Sequence, residues 1–202
     1  MGLADLTLRE FLTAAAAKEP VPGGGAVAAL TLAQGAALGR MVLQYTLGKR
    51  KYEESETANR AIDASLAVWQ QEAMALAEAD AEGYRALNEL FRLETSDPKR
   101  MSAWPTAVEG AIAPPLAMTA LAEAQMEGLG GLANRTNPQL RSDLAIAALL
   151  TEAGCRAAAW NVEVNLPLLA DRDRAGSIAT LLRQRIDGAR EAAAAVEAAC
   201  RA

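Results

Sequence analysis

The chain has 202 residues, enough for one domain or two small ones, with 20 Lys and Arg against 25 Asp and Glu and no histidine. Without imidazole there is no His general base, no Ser-His-Asp or Cys-His dyad and no His-ligated metal. A net charge of −5 with 4% aromatic residues argues against nucleic acid as a partner, because phosphate-neutralising charge and stacking rings are both scarce.

No alternating β-branched run is present and apolar periods near 3.6 dominate, so the expected fold is all-α: an antiparallel bundle of long helices, one domain over residues 1–202. The N-terminus MGLADLTLRE is acidic and amphipathic, unlike a secretory leader, and a cytoplasmic location is expected. A first helix is expected after Thr7, where Thr7-x-x-Glu10 has the capping-box pattern, ending near Lys18. Pro20 to Gly25 reads as a loop. The twenty uncharged positions from Pro20 to Gly39 approach membrane length, yet two prolines, three consecutive glycines, Thr31 and Gln34 make them weakly hydrophobic. They read instead as the entry to a buried central helix over about Ala26–Leu47, closed by Gly48 and the basic run Lys49-Arg50-Lys51, and no membrane association is expected.

The longest helix should cover about Glu56–Leu93. Its 4,3 spacing of Ile62, Leu66, Trp69, Ala73, Leu76, Asp80, Gly83, Leu87 and Leu90 describes a buried seam, in which Asp80 is the anomaly. Asp97 and Pro98 form a cap-and-N1 pair that starts another helix. Pro105, Pro114 and Pro115 are expected to break helices or begin new ones, and a helix then runs to about Met126. Gly128, Gly130 and Gly131 lead into the loop Asn134–Pro138, followed by helices over about Gln139–Leu168 and Asp171–Arg201. Cys155 and Cys200 read as small core residues in a reducing compartment.

Four features could carry chemistry. Gly23-Gly24-Gly25 formally opens a G-x-G-x-x-A pattern, but the flanking prolines deny the strand that dinucleotide binding needs. It is either a helix-entry loop or a place where free N–H groups meet a ligand. Asp80 is either a structural carboxylate paired with a nearby Ser or Arg, or a cleft-facing base with a raised pKa. Asn161 and Asn165, at i and i+4, share a helix face, where they either bond across the bundle or recognise a polar heterocycle edge. Asp143 sits 18 residues earlier, about 27 Å away on a straight helix, so it and Asn161 cannot meet within one chain. Lys49 and Lys51, followed by Tyr52, are either a solvated helix end or a grip for an anionic tail.

The stretch PVPGGGAVAALTLAQGAALGRMVLQYTLGKRKYEE resembles the cyclodeaminase/cyclohydrolase family, with its P-x-P-G-G-G opening and its G-K-K-K-Y-like segment, here Gly48 to Tyr52. Glu78-Ala79-Asp80, Asn137-Pro138, Ser142-Asp143 and Asn161–Leu166 follow in the family's order over essentially the whole chain. The resemblance implies an all-α homodimer or higher oligomer that takes a tetrahydrofolate derivative as substrate, with no metal or nucleotide. At this length there is no room for a transferase domain, so the expected reaction is reversible hydrolysis of 5,10-methenyltetrahydrofolate to 10-formyltetrahydrofolate. Cyclodeamination of 5-formiminotetrahydrofolate and a non-catalytic folate-binding or scaffold role are the alternatives. Asp80 and Lys49 are the expected catalytic pair. Gly23, Gly24, Gly25, Lys51, Tyr52, Asp143, Asn161 and Asn165 are the expected binding residues.

Overall fold

A computed structural model describes residues 2–202 and contains six α-helices, with no strand among the described residues. They are α1 (Leu8–Ala15), α2 (Gly24–Gln44), α3 (Glu56–Phe91), α4 (Pro98–Gly130), α5 (Arg141–Glu163) and α6 (Arg172–Arg201). α2 packs between α3 and α5, while α4 packs against α3, α5 and α6. Neighbours run antiparallel: Gly25 meets Asp80 and Gly39 meets Leu66 across α2–α3, and Gly24 meets Asn161 and Gly35 meets Ala147 and Thr151 across α2–α5. α2 is long and apolar enough to cross a membrane, yet more than half of its apolar window is buried in the bundle.

The start signals read from the sequence act as expected. The Thr7 side chain accepts from the Glu10 N–H while Glu10 reaches back to the Thr7 N–H, and Asp97 caps α4 with Pro98 at its first turn. Small residues then let the helices touch. At Gly83 a Cβ would run into the carbonyl of Gly110, so α3 and α4 cross backbone to backbone. Leu32, Leu43, Leu66, Leu87, Ile112, Met118 and Leu129 fill the rest of the core and are all fully buried, each contributing roughly 1.5–3 kcal/mol.

Several expected boundaries are corrected. α1 stops at Ala15, short of Lys18, and α2 runs from Gly24 to Gln44 rather than from Ala26 to Leu47. The chain beyond Gln44 turns early because the Thr46 hydroxyl bonds back to the Val42 carbonyl and accepts the Asn137 N–H, while Gly48 takes a φ of 74°. α4 continues past Met126 to Gly130. α5 ends at Glu163 rather than Leu168, because Pro167 has no N–H to continue the ladder; Leu166–Leu168 form a 3₁₀ turn instead. Cys155 is fully buried, but Cys200 is only half-buried at the end of α6.

The largest correction concerns the prolines. Pro105, Pro114 and Pro115 all lie inside the continuous helix α4. Pro114 and Pro115 are buried, so tertiary packing holds the helix through the missing hydrogen bonds. Prolines at 114 and 115 leave the carbonyls of Gly110 and Ala111 without their usual i+4 donors. The Ala111 carbonyl recovers one from the Asn165 side-chain amide, at 3.4 Å. The double proline therefore converts part of a helix wall into an acceptor for a side chain from another element.

Candidate active site

At the N-terminal end of α2 the bundle opens into a cavity of about 440 Å³. Its floor is the loop from Pro20 through the cis Val21–Pro22 peptide to Gly25, where α2 begins. Gly23 supplies no side-chain cap, so the first N–H groups of α2 have no side-chain acceptor. One wall is the α3 face of Asp80, Tyr84 and Phe91. Ala111 of α4, Asn161 near the end of α5, and Val164, Asn165 and Leu168 just beyond it complete the lining.

Asp80 is the one charged side chain among these lining residues. Gly25 creates its place: a Cβ there would overlap the carboxylate, so only glycine lets α2 and the acid pack together. Among the described residues Asp80 has no salt bridge, and neither Ser nor Arg partners it. Burial alone pushes its pKa from the ordinary 3.8 up to about 6. The reading of Asp80 as a cleft-facing group is therefore the one the geometry supports. A structural carboxylate would have a partner.

The two asparagines have defined orientations. The Asn161 Nδ2 donates to the Ala157 carbonyl at 2.8 Å, and the Asn165 Nδ2 donates to the carbonyls of Asn161, at 3.0 Å, and of Ala111. Carbonyl partners require the nitrogen to be the donor, which fixes both amides. Their oxygens are left as acceptors, and the Asn161 Oδ1 lies beside Gly24. Side-chain acceptors thus ring the cavity, and no side-chain cation lines it. Such a site favours a cationic or N–H-rich ligand.

The remaining expected residues lie elsewhere. Lys49 and the 3₁₀ segment Arg50–Ser55, which holds Lys51 and Tyr52, follow the far end of α2. The 21 residues of α2 put about 31 Å between the two ends. Asp143 occupies the first turn of α5 and Asn161 its last, with the separation expected from their spacing. The structure thus brings together Gly23, Gly24, Gly25, Asp80, Asn161 and Asn165, and leaves Lys49, Lys51, Tyr52 and Asp143 at the opposite pole of the same chain. Sequence reasoning missed Tyr84, Phe91, Ala111, Val164 and Leu168. Tyr84 and Phe91 carry a readable signal, since they lie four and eleven residues after Asp80 and so share its helix face.

Among the described residues no three His, Cys, Asp or Glu side chains are grouped as a metal site requires. Comparison with known proteins is specific. The formiminotransferase-cyclodeaminase family model matches residues 7–184. The mouse formimidoyltransferase-cyclodeaminase is 32% identical over 84% of this chain but over 32% of its own length, so the chain spans about a third of that relative. A methenyltetrahydrofolate cyclohydrolase of Methylorubrum extorquens is 31% identical over 82% of each chain. A formiminotetrahydrofolate cyclodeaminase from Thermotoga maritima superposes with a TM-score of 0.89 at 25% identity, covering 98% of both chains. With the family's match extending over most of its length, the chain belongs to the formiminotransferase-cyclodeaminase family.

Proposed function

We propose that the protein is a tetrahydrofolate one-carbon enzyme that reversibly hydrolyses 5,10-methenyltetrahydrofolate to 10-formyltetrahydrofolate. The observation that carries the reading is Asp80, a half-buried and unpaired carboxylate that is the one charged side chain lining the cavity. The methenyl bridge is an amidinium cation and already an electrophile, so it needs neither metal nor imidazole. Ionised Asp80 stabilises the cation and takes a proton as water attacks the bridge carbon. The carbon–N5 bond then breaks as that proton passes from Asp80 to N5, and the proton of the new hydroxyl leaves to solvent as the formyl carbonyl forms. General-base assistance of this kind is worth about 10²–10⁴-fold.

The relatives of comparable length support two reaction types, and the Thermotoga maritima neighbour keeps cyclodeamination as the second reading. There N10 attacks the formimino carbon and the same carboxylate passes its proton to the departing ammonia. Loss of methenyltetrahydrofolate absorbance by the purified protein, run beside ammonia release from 5-formiminotetrahydrofolate, separates the two. Turnover of neither would leave the folate-binding or scaffold role.

We further propose an antiparallel homodimer in the cytoplasm. α2 and its C-cap present an uncharged stripe through Val27, Gln34 and Tyr45, and α5 with its own C-cap beside it exposes Ile146, Leu149, Trp160 and Val164. A two-fold axis near Gln34, the midpoint of α2, would carry the partner's Lys49 to the cavity end of this chain. That arrangement supplies the cation the cavity lacks and reunites the two halves of the expected site. Lys49 and Lys51 would then face the substrate's glutamate carboxylates.

A further inference from the structure

The outer rim of the cavity holds a feature that neither the core nor the proton chemistry uses. Phe91, the last residue of α3, lines the cavity and is 47% exposed. The fold does not need its ring: Leu87 and Leu90 bury the core-facing side of this helix end. Yet the ring is not free. Trp104 of α4 meets it edge-on, with centroids 5.5 Å apart and planes at 84°. Arg100 stacks over Trp104 at 4.5 Å and is itself anchored by a 2.7 Å bond from its guanidinium to the Leu93 carbonyl. Two side chains, Trp104 directly and Arg100 through it, thus brace an exposed apolar ring at the mouth of a cavity. Such pairs are favourable in their own right, and a pre-ordered ring saves the ordering entropy that ligand contact otherwise costs.

Distance gives the ring a role. Phe91 lies eleven residues beyond Asp80 on one helix, about 16 Å along the axis. Helical side chains lean toward the N-terminus, and the longer Phe side chain leans further, so its ring comes several ångströms closer to the carboxylate. A ligand that reacts beside Asp80 and carries a planar group one ring further out spans this gap. We propose that Phe91, held by Trp104 and Arg100, is the specificity-determining wall of the site and packs against the aryl ring attached to the nitrogen that retains the one-carbon unit. The identity of that ring, an aminobenzoyl group, rests on the proposed tetrahydrofolate chemistry; the existence of an aryl site does not.

The test pairs turnover with a fragment that cannot react. Wild type, Phe91→Leu, Phe91→Tyr and Trp104→Leu are compared for steady-state turnover of 5,10-methenyltetrahydrofolate and for calorimetric binding of p-aminobenzoylglutamate. Circular dichroism confirms that each variant is folded. Phe91→Leu keeps an apolar side chain and removes the ring. It should raise KM and the fragment's Kd about tenfold with kcat within about twofold, since uniform binding is what is lost. Phe91→Tyr should retain wild-type values, and Trp104→Leu should move KM and Kd in the same direction by a smaller factor. Unchanged KM and Kd in Phe91→Leu, or no fragment binding by wild type, would overturn the assignment. Fragment binding that depends on Phe91 in a protein that turns over neither folate would sink the proposed reaction while leaving the aryl site standing.

Discussion

Replacing Asp80 with Asn should make the protein more stable and nearly inactive at once. Burial raises the carboxyl pKa from 3.8 to about 6, which means the folded state holds a proton that the unfolded chain has released. Stability therefore falls as pH rises from about 4 to about 6 and levels off above that, with the full cost present at neutral pH. Two units correspond to ~3 kcal/mol at most. Asp80 is only half-buried, and solvent screening brings the realistic figure to ~1–2 kcal/mol. An amide of the same shape carries no such cost. Urea unfolding of both proteins between pH 4 and pH 8 should show near-equal stability at pH 4, a gap opening in favour of Asp80→Asn up to about pH 6, and a plateau thereafter. Turnover of the variant should fall by about 10²–10⁴-fold, and wild-type kcat/KM should rise through about pH 6 as the carboxylate ionises. A stability gap that is flat with pH, or a variant less stable than wild type at pH 7, would refute the picture of an unpaired, desolvated acid.

Three other outcomes are expected. Gly83→Ala drives a methyl into the Gly110 carbonyl and should cost ~2–3 kcal/mol, read as a drop in the urea midpoint, because backbone cannot move aside as a flexible side chain can. Asn165→Ala leaves the Ala111 carbonyl without its donor and should cost ~1–2 kcal/mol by denaturation, with a rise in KM. In the proposed dimer, Asp80→Asn and Lys49→Ala are each defective, but hybrids of the two hold one intact site. Mixing them with subunit exchange should restore about a quarter of wild-type activity, whereas a site contained within one chain restores none.

What the sequence reveals and what it conceals divide along physical lines. Asp80 stands out in sequence because a carboxylate interrupts a seam of apolar residues, and helical periodicity depends on local geometry alone. The capping box at Thr7 and the Asp97–Pro98 start are legible for the same reason, since caps are local. α4 is misread because a proline's cost is local but its compensation is not: the packing around Pro114 and Pro115 and the Asn165 donor come from residues distant in sequence. The end of α5 is misplaced by five residues because Asn161 and Asn165 suit a helix face, while Pro167 ends the helix from beyond them. The rim residues Tyr84 and Phe91 share the helix face of Asp80 by spacing, but that signal is easily passed over, since an aromatic residue on an amphipathic helix is usually core. The split of the expected site between two poles is half legible. The 27 Å separation of Asp143 and Asn161 follows from counting turns, but the distance of Lys49 from Asp80 requires knowing that α2 and α3 run antiparallel.

The backbone contact between Gly83 and Gly110 also sets how the site works in time. Two helices that touch through their main chains have no intervening side chain to repack, so the backbone contact itself sets the spacing of the walls bearing Asp80 and Ala111. Entry and exit then require no domain closing over milliseconds. An enzyme built this way holds its geometry in readiness before the substrate arrives. Its association rates should vary little with solvent viscosity beyond the diffusional term, and a crystal of the empty protein should accept ligand by soaking without cracking.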